Sequence, residues 1–438
     1  MIWAHGLGGA KDLPVPAPLA IAGGMAALVI SFCVLALAWR RPRYDASTQG
    51  HPLPAPMAAI LESAGFAWLL RLLGLLFFGY LTWALVAGPD LTTNPVFGTF
   101  YVLVWVGIVP FSLLFGRVVR AVSPVRTLNL LIAKATGGDP SVGLRQYPAR
   151  LGYWPAALGL FAFVWQELVN PDGAFLAPLR VWLAVYLAIM LIGAAIFGDE
   201  WLERADPFEV YSSLLANLSP WGRRADGRLV VRSPLANLDG LVARPGLVVT
   251  VSVLFGSTAF DSYKDSIRWV SFVDKLGIDP LLVNTVALVA FCAIIAGTFT
   301  VAAMTTGVGE DTPRSQLPLL LGHSVVPIIV GYMTAHYLSY FVELGLLTVI
   351  LLSDPMVQGD ILLGTANLSV SYFLSFHPSL LASLKVLAVV AGHIVGVIAA
   401  HDRAIKLLPK KHQVSGQLGM LIIMVAYTAT GLYLLFGT

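Results

Sequence analysis

Long apolar runs with almost no charge recur along this chain of 438 residues and constrain its fold more than any other feature. Each run is about 20 residues long, enough for an α-helix to cross the roughly 30 Å hydrocarbon core of a bilayer. Only helices and closed barrels satisfy all their backbone hydrogen bonds in lipid, and runs of this length are typical of helices. The sequence therefore predicts an all-α protein, a polytopic transmembrane helical bundle.

The composition agrees with this class. Hydrophobic residues make up 57% of the chain and charged residues 12%, whereas soluble domains contain about 45–50% and about 25%. The 27 basic residues are dispersed and nearly balanced by 24 acidic ones, so no basic stripe exists. Nucleic acid is therefore excluded as a main partner, and the lipid bilayer is expected in its place.

About ten spans are predicted from the apolar runs. Their approximate ranges are 18–38, 67–87, 96–116, 151–168, 178–197, 246–262, 279–303, 316–342, 380–402 and 416–436. No linker divides them, so residues 1–438 are predicted to form a single integral membrane domain. Residues 117–150 and 198–245 are predicted cytoplasmic loops. Residues 343–379 are a predicted outer loop, and its apolar piece Leu346–Leu352 is too short to span and could be re-entrant.

The distribution of basic residues predicts the orientation. The first apolar run ends in the basic segment Arg40–Arg43, which favours an N-terminus on the outer side. With that orientation, the predicted inner loops hold 20 Lys and Arg residues and the outer segments hold five. This positive-inside bias predicts a multi-pass protein with both the N-terminus and the C-terminus outside.

Two segments of the chain look like copies of each other. Phe115–Ala133 contains Phe-Gly, Ser-Pro and a Leu-rich stretch in that order, and Phe197–Ala216 contains Phe-Gly, Asp-Pro and a similar stretch. In the apolar run that follows each copy, an acid stands 17 residues after an arginine, Glu167 in the first and Asp261 in the second. We infer that spans 3–4 and 5–6 form a parallel internal repeat, which commonly places a site at the repeat interface.

Acids and histidines at membrane depth are the candidate functional residues, because an unpaired charge there costs at least about 2.5 kcal/mol. Glu167 and Asp261, the candidate catalytic acids, are predicted near the outer ends of their helices. His336, Tyr340 and Glu343 are spaced i, i+4, i+7 and share a helix face near the same surface. With His336 and Glu343, the two acids would suit a divalent metal such as zinc or manganese, whose bound water can attack an ester. Alternatively, head groups and tyrosine hydroxyls satisfy these residues.

A secondary cluster of His323, His393 and His401 is predicted deeper and toward the inner side. By depth, His323 falls between the other two and nearer His393, so this pair could share a proton or a soft metal. His401 could equally belong to an ordinary helix end. Paired histidines also allow one haem b, but haem is the unlikely cofactor, since spacings of 13 and 8 residues do not fit two stacked haems.

On the outer face, His5 and His377 could add ligands. A mature chain beginning at His5 would offer a copper-type chelate of free amine and imidazole, although the preceding residues lack the basic region of a cleavable signal. The sequence contains no Gly-x-Ser-x-Gly elbow, Walker motif, His-Glu-x-x-His or CxxC. An ATP-driven pump and a zincin protease are therefore disfavoured.

Three blocks of the sequence, Ala4–Pro14, Ala149–Trp165 and Gly256–Asp261, resemble a family of bacterial, largely actinobacterial, membrane proteins labelled fenitrothion hydrolase-like. The likeness extends over most of the chain. It implies a membrane-bound organophosphate triester hydrolase of the bacterial cytoplasmic membrane that works with a partner subunit, and it supplies no catalytic residues.

Three functions stay open at this point. The first is an outward-facing, metal-dependent hydrolase of lipophilic organophosphates or related esters, with the metal held by the outer acids and His336. The second is a metal, proton-coupled or small-solute transporter that uses the outer acids and the inner histidines as two halves of a relay. The third is an accessory subunit of a membrane complex. The resemblance favours the hydrolase.

Overall fold

The structure is a computed structural model that describes residues 10–306 and 312–437. From α1 to α10 the α-helices are Ala17–Ala38, Ala55–Leu61, Ala64–Ala87, Pro95–Gly98, Ile108–Phe115, Val118–Val122, Pro124–Ala135, Trp154–Leu168, Leu176–Phe197 and Asp199–Ala205. From α11 to α20 they are Pro207–Ala216, Pro234–Asp239, Leu247–Lys264, Ile267–Leu276, Pro280–Met304, Leu317–Leu321, Val326–Leu351, Phe373–Phe376, Pro378–Leu407 and Leu418–Phe436. The strands are β1 His51–Pro52, β2 Trp221–Arg223 and β3 Leu229–Val231. The predicted all-α class is confirmed.

Eight of the ten predicted spans coincide with helices long and apolar enough to cross a membrane. Seven are continuous or nearly so, and the eighth is the pair α4 and α5, joined by the π-helical segment Thr99–Val104 and bent by 50°. The predicted spans 151–168 and 246–262 correspond to α8 and α13, which have 15 and 18 residues and do not meet the same test. These two are short because polar residues follow their apolar cores.

The apolar piece Leu346–Leu352 lies elsewhere than predicted. Helix α17 continues without a break to Leu351, so almost all of this piece extends the eighth predicted span and little of it belongs to the outer loop. The piece contains no proline, and its leucine and isoleucine residues favour continuation of the helix.

The chain divides into two compact units. The first unit comprises the described residues of Met1–Ala46, Leu235–Tyr340 and Tyr372–Thr438. In it, α13 packs on α15, α1 packs on α19 and α20, and α15 also contacts α20. The buried faces of α13, α17 and α19 supply most of its core. This unit holds Asp261, His336 and the three predicted inner histidines.

The second unit comprises Ser47–Pro234 and Phe341–Ser371. In it, α5 packs on α11 and α9 packs on α7, while α3 contacts α6 and α7. Strands β2 and β3 pair antiparallel, with Trp221 opposite Val231, and β1 pairs with the other edge of β3. The predicted strand within Asp226–Arg232 is therefore present.

The two copies of the repeat show the same order of elements. In each, a helix ends at a glycine with positive φ, Gly116 at 78° and Gly198 at 69°, a conformation that favours glycine. A short helix follows, then an N-cap residue, Ser123 or Asp206, whose side chain accepts a backbone N–H of the next helix. A proline occupies the first position of that helix in both copies.

Close backbone contact between α17 and α19 shapes the first unit. A Cβ added at Gly392 would lie 2.6 Å from the Pro327 carbonyl oxygen, and one added at Gly331 would lie 2.4 Å from the Ala388 carbonyl oxygen. Small residues at such crossings let membrane helices approach each other closely. This approach sets the position of His336 on α17.

We expect Gly392→Ala to lower the free energy of unfolding by about 1–3 kcal/mol, because the added methyl group forces α17 and α19 apart. Thermal unfolding of the detergent-purified protein measures this loss. Gly297→Ala is the matched control, because a Cβ at Gly297 meets no atom within 4 Å. Equal melting temperatures for the two variants would contradict this account of the crossing.

Candidate functional site

The first unit brings Asp261 of α13 into direct contact with His336 of α17. The Asp261 Oδ2 atom lies 2.9 Å from His336 Nε2, and the two residues are 3% and 4% exposed. The Tyr337 hydroxyl donates to the same carboxylate oxygen at 2.8 Å. The Lys264 ammonium lies 3.7 Å from Oδ1. Two of the predicted site residues thus form one buried pair.

The other nitrogen of the His336 ring contacts a serine. His336 Nδ1 lies 3.0 Å from Ser262 Oγ, and the Ser262 hydroxyl also lies 2.9 Å from the Thr258 carbonyl of its own helix. The Tyr332 hydroxyl donates to Ser262 Oγ at 2.9 Å. The result is a continuous chain of polar groups from Asp261 through His336 and Ser262 to Tyr332.

This chain of groups accommodates His336 with one or two ring protons. When the ring is neutral and its Nε2–H faces Asp261, Nδ1 accepts a hydrogen bond from the Ser262 hydroxyl. When the ring is protonated, Nδ1–H donates to Ser262, whose own proton then turns to the Thr258 carbonyl. Rotation of one hydroxyl group therefore satisfies both states of the imidazole.

The remaining predicted metal ligands, Glu167 of α8 and Glu343 of α17, belong to the second unit. Glu343 is 7% exposed, and Glu167 interacts electrostatically with Tyr101 and Tyr211. Within the described parts of the chain, no three His, Cys, Asp or Glu residues are arranged to hold a metal ion. The tyrosine that contacts Asp261 is Tyr337; the predicted Tyr340 packs against the Tyr337 ring.

Each inner histidine contacts groups near it in the fold. His323 Nδ1 lies 3.1 Å from the Leu320 carbonyl oxygen, and its Nε2 lies 3.3 Å from the Ala399 carbonyl oxygen of α19. The predicted spans 316–342 and 380–402 are therefore neighbours. His393 Nδ1 lies 2.8 Å from the Val389 carbonyl oxygen of its own helix. Among the described residues, both rings contact backbone carbonyl oxygens, so proton sharing between His323 and His393 stays a prediction.

The third inner histidine lies within α19, which continues to Leu407, beside the end of α1. His401 contacts Gln417 and the Trp39 carbonyl at 3.1 and 3.0 Å. Its neighbour Asp402 accepts the Trp39 indole N–H at 3.0 Å and the Arg43 amide at 2.7 Å. These contacts fasten the end of α1 to α19. Of the two outer histidines, His377 lies 2.7 Å from the Phe373 carbonyl, and His5 lies outside the described residues.

The second unit contains a buried ionic network. Arg126 of α7 makes a bidentate contact with Glu209 of α11, at 2.5 and 2.7 Å, and Glu209 has a fully buried side chain. Arg120 of α6 lies 3.0 Å from Glu203 of α10 and 3.5 Å from Glu209. Asp199 lies 3.4 Å from Arg126. The sequence predicted only two cytoplasmic loops here, 117–150 and 198–245.

The repeat explains which residues pair in this network. Arg120 and Glu203 are 83 positions apart, and so are Arg126 and Glu209. The same offset relates the N-cap residues Ser123 and Asp206. Each ion pair therefore joins equivalent positions of the two copies. In a two-fold repeat, equivalent positions contact each other only close to the axis that relates the copies. Opposite charges at equivalent positions were the sequence signal that could have revealed the network.

Burial and neighbouring charge change the pKa values of these groups. Burial raises the pKa of Glu209, and the Arg126 guanidinium opposes this rise. Burial and the nearby Glu209 raise the pKa of Asp206 to about 6. Arg126 keeps its charge, because its contacts with Glu209 outweigh burial and raise its pKa.

We expect Arg126→Ala to destabilise the protein by about 3–5 kcal/mol, because it leaves a buried carboxylate without its cation. The exchange Arg126→Glu with Glu209→Arg should recover a substantial part of this loss, since the two positions are equivalent. Thermal unfolding in detergent compares the exchange with each single variant. An exchange that is no more stable than the single charge reversals would argue against this equivalence.

Comparison with known protein families, with curated proteins and with solved structures found no match. The functional argument therefore depends on the geometry of the chain itself.

Proposed function

We propose that this chain is a proton-coupled transporter of small solutes and that the Asp261–His336 pair is its proton-carrying site. The observation that carries the proposal is the 2.9 Å contact between a carboxylate and an imidazole that are both buried. Ionisable groups in membrane helices commonly mark ion paths or proton relays. Here the two groups lie on different helices, α13 and α17, so movement of one helix changes the contact.

Proton uptake changes the net charge of this pair. With neutral His336, the Asp261 carboxylate faces the Lys264 ammonium at 3.7 Å, and with protonated His336 it faces two cations, so the proton adds one positive charge to the site. A net charge is costly in a medium of low dielectric constant, while a hydrogen-bonded ion pair is less so. Binding of one proton therefore shifts the balance between helix arrangements that bury the site and those that expose it.

Two interrupted membrane helices support a transport function. The span that carries His336 begins with the short helix α16 and the 3₁₀ segment Gly322–Val325 before α17. In the second unit, α4 and α5 are separated by the π-helical segment and bent by 50°. Transporters commonly build binding sites from discontinuous helices, and irregular turns within a helix are typical of hinges.

A serine-type hydrolase is the second candidate. Ser262, His336 and Asp261 lie in the order of a nucleophile, a base and the acid that orients the base, with separations of 3.0 and 2.9 Å. The sequence resemblance to fenitrothion hydrolase-like proteins supports the same reading. However, the Ser262 oxygen accepts a hydrogen bond from the Tyr332 hydroxyl. Ser262 also lies in the last turn of α13, where the helix dipole disfavours an oxyanion.

The metal-dependent hydrolase has less support from the geometry. A catalytic zinc ion takes three protein ligands, and Asp261 with His336 provides two in the first unit. Elemental analysis of the purified protein, before and after Asp261→Asn, tests this alternative directly. Stoichiometric zinc or manganese that is lost in the variant would favour it over proton coupling.

We expect solutes that the protein transports to change the luminal pH of proteoliposomes loaded with a pH-sensitive dye. A panel of lipophilic cations, weak acids and neutral solutes is added outside. Any solute-driven pH change should be lost in His336→Gln and in Asp261→Asn, because either change removes the proton site. His412→Gln is the control, a histidine of the same unit outside the network. A response that persists in His336→Gln would refute the proposal.

Ser262→Ala separates the two candidate functions. This variant keeps the Asp261–His336 contact but removes the hydrogen-bond partner of Nδ1, so we expect it to retain solute-driven proton movement at a reduced rate. A serine hydrolase would instead lose all ester turnover and all labelling by a fluorophosphonate probe. Mass spectrometry of the labelled wild-type protein locates any adduct, and an adduct on Ser262 would favour the hydrolase.

A further inference from the structure

The second unit contains a half-open apolar cavity of about 530 Å³. Residues from both copies of the repeat form its wall, including the N-cap residues Ser123 of the first copy and Asp206 of the second. The cavity therefore lies at the interface between the copies. Its volume is within the range of small-molecule sites.

Aromatic rings line much of this cavity. They are those of Phe77, Phe78, Phe100, Phe111, Tyr186 and Phe208. Tyr186 and Phe208 contact each other edge to face, with ring centroids 5.7 Å apart, beside Asp206. The faces of such rings attract cations.

Asp206 is the one lining residue, among those that the structure describes, with a negative charge at neutral pH. It is 1% exposed. The groups that donate to it are the Tyr186 hydroxyl at 3.0 Å and the backbone amides of Phe208 and Glu209 at 3.0 and 3.2 Å, and all three are neutral. The nearby Arg126 is held by Glu209. The acid thus lacks a contacting cation within the described residues.

We propose that this cavity binds a hydrophobic organic cation, with the Asp206 carboxylate as its counter-ion. A lipid acyl chain would match the apolar wall but leave the Asp206 carboxylate, which caps α11 and receives only neutral donors, without a counter-ion. A cation with an apolar surface matches the aromatic rings and the carboxylate together. The inference uses the second unit alone, so it is independent of the proton site on α13 and α17.

Binding of such a cation should depend on pH. The ionisable groups that face Asp206 are Glu209 on α11, Arg126 on α7 and Tyr186 on α9. Since burial and Glu209 raise the pKa of Asp206 to about 6, the acid becomes neutral as the pH falls through this value. The affinity for the cation should therefore fall below pH about 6. By linkage, binding of the cation displaces a proton from the acid.

Equilibrium dialysis with tetraphenylphosphonium tests the proposal on the detergent-purified full chain. Tetraphenylborate, an anion of nearly the same size and shape, is the control ligand. We expect the cation to bind at pH 7.5, the anion to bind at least about tenfold more weakly, and the cation affinity to fall at pH 5.

Two variants locate the binding. Asp206→Asn should reduce the affinity for the cation about tenfold or more while keeping the fold, because asparagine is an equally good N-cap. Val104→Trp should fill the cavity and abolish binding with the charge intact, whereas Leu72→Trp on an exposed helix face should not. Equal binding of both ions, unchanged in Asp206→Asn, would overturn the proposal and indicate an acyl-chain site. Binding that Val104→Trp leaves unchanged would also overturn it.

Discussion

The cost of placing charge in a medium of low dielectric constant governs both units of this protein. Each buried acid has to meet a proton, a cation or several hydrogen-bond donors, or the helices that carry it cannot pack. The first unit meets this need with a histidine and a tyrosine, and the second meets it with two arginines. These two solutions differ chemically, because an imidazole ring can hold one proton or two and a guanidinium keeps its charge.

The internal repeat explains why the arginines stand where they do. Duplication of one segment brings identical positions together at the axis, where identical charges would repel each other. The present residues resolve this conflict, with Arg120 and Arg126 in one copy and Glu203 and Glu209 in the other. The two N-cap residues, Ser123 and Asp206, also differ in charge. Ser123 is neutral and Asp206 is an acid, so the cavity between the copies carries charge on one side.

The sequence predicted the membrane helices well, because apolar length and charge scarcity are local properties. It also predicted that Asp261 and His336 lie at corresponding depths, since depth follows from counting along each helix. It did not predict Ser262 or Tyr337 as their partners, because the rotation of a helix about its axis depends on contacts such as those of Gly331 and Gly392. Tyr332 could have been predicted from the sequence, since it stands four residues before His336 on the same helix face. The Arg126–Glu209 pair was indicated only by opposite charges at equivalent positions of the repeat, because charges between spans usually face water.

The hydrogen-bond capacity of Ser262 bears on the choice between transport and hydrolysis. A nucleophilic serine has to deliver its proton to histidine and present a free oxygen to the substrate. Here the Ser262 oxygen accepts a hydrogen bond from the Tyr332 hydroxyl. The Ser262 hydroxyl itself donates either to His336 or to the Thr258 carbonyl. Such an oxygen is a better hydrogen-bond acceptor for a protonated imidazole than a nucleophile. The residues that resemble a catalytic triad therefore favour a site that loads and unloads one proton.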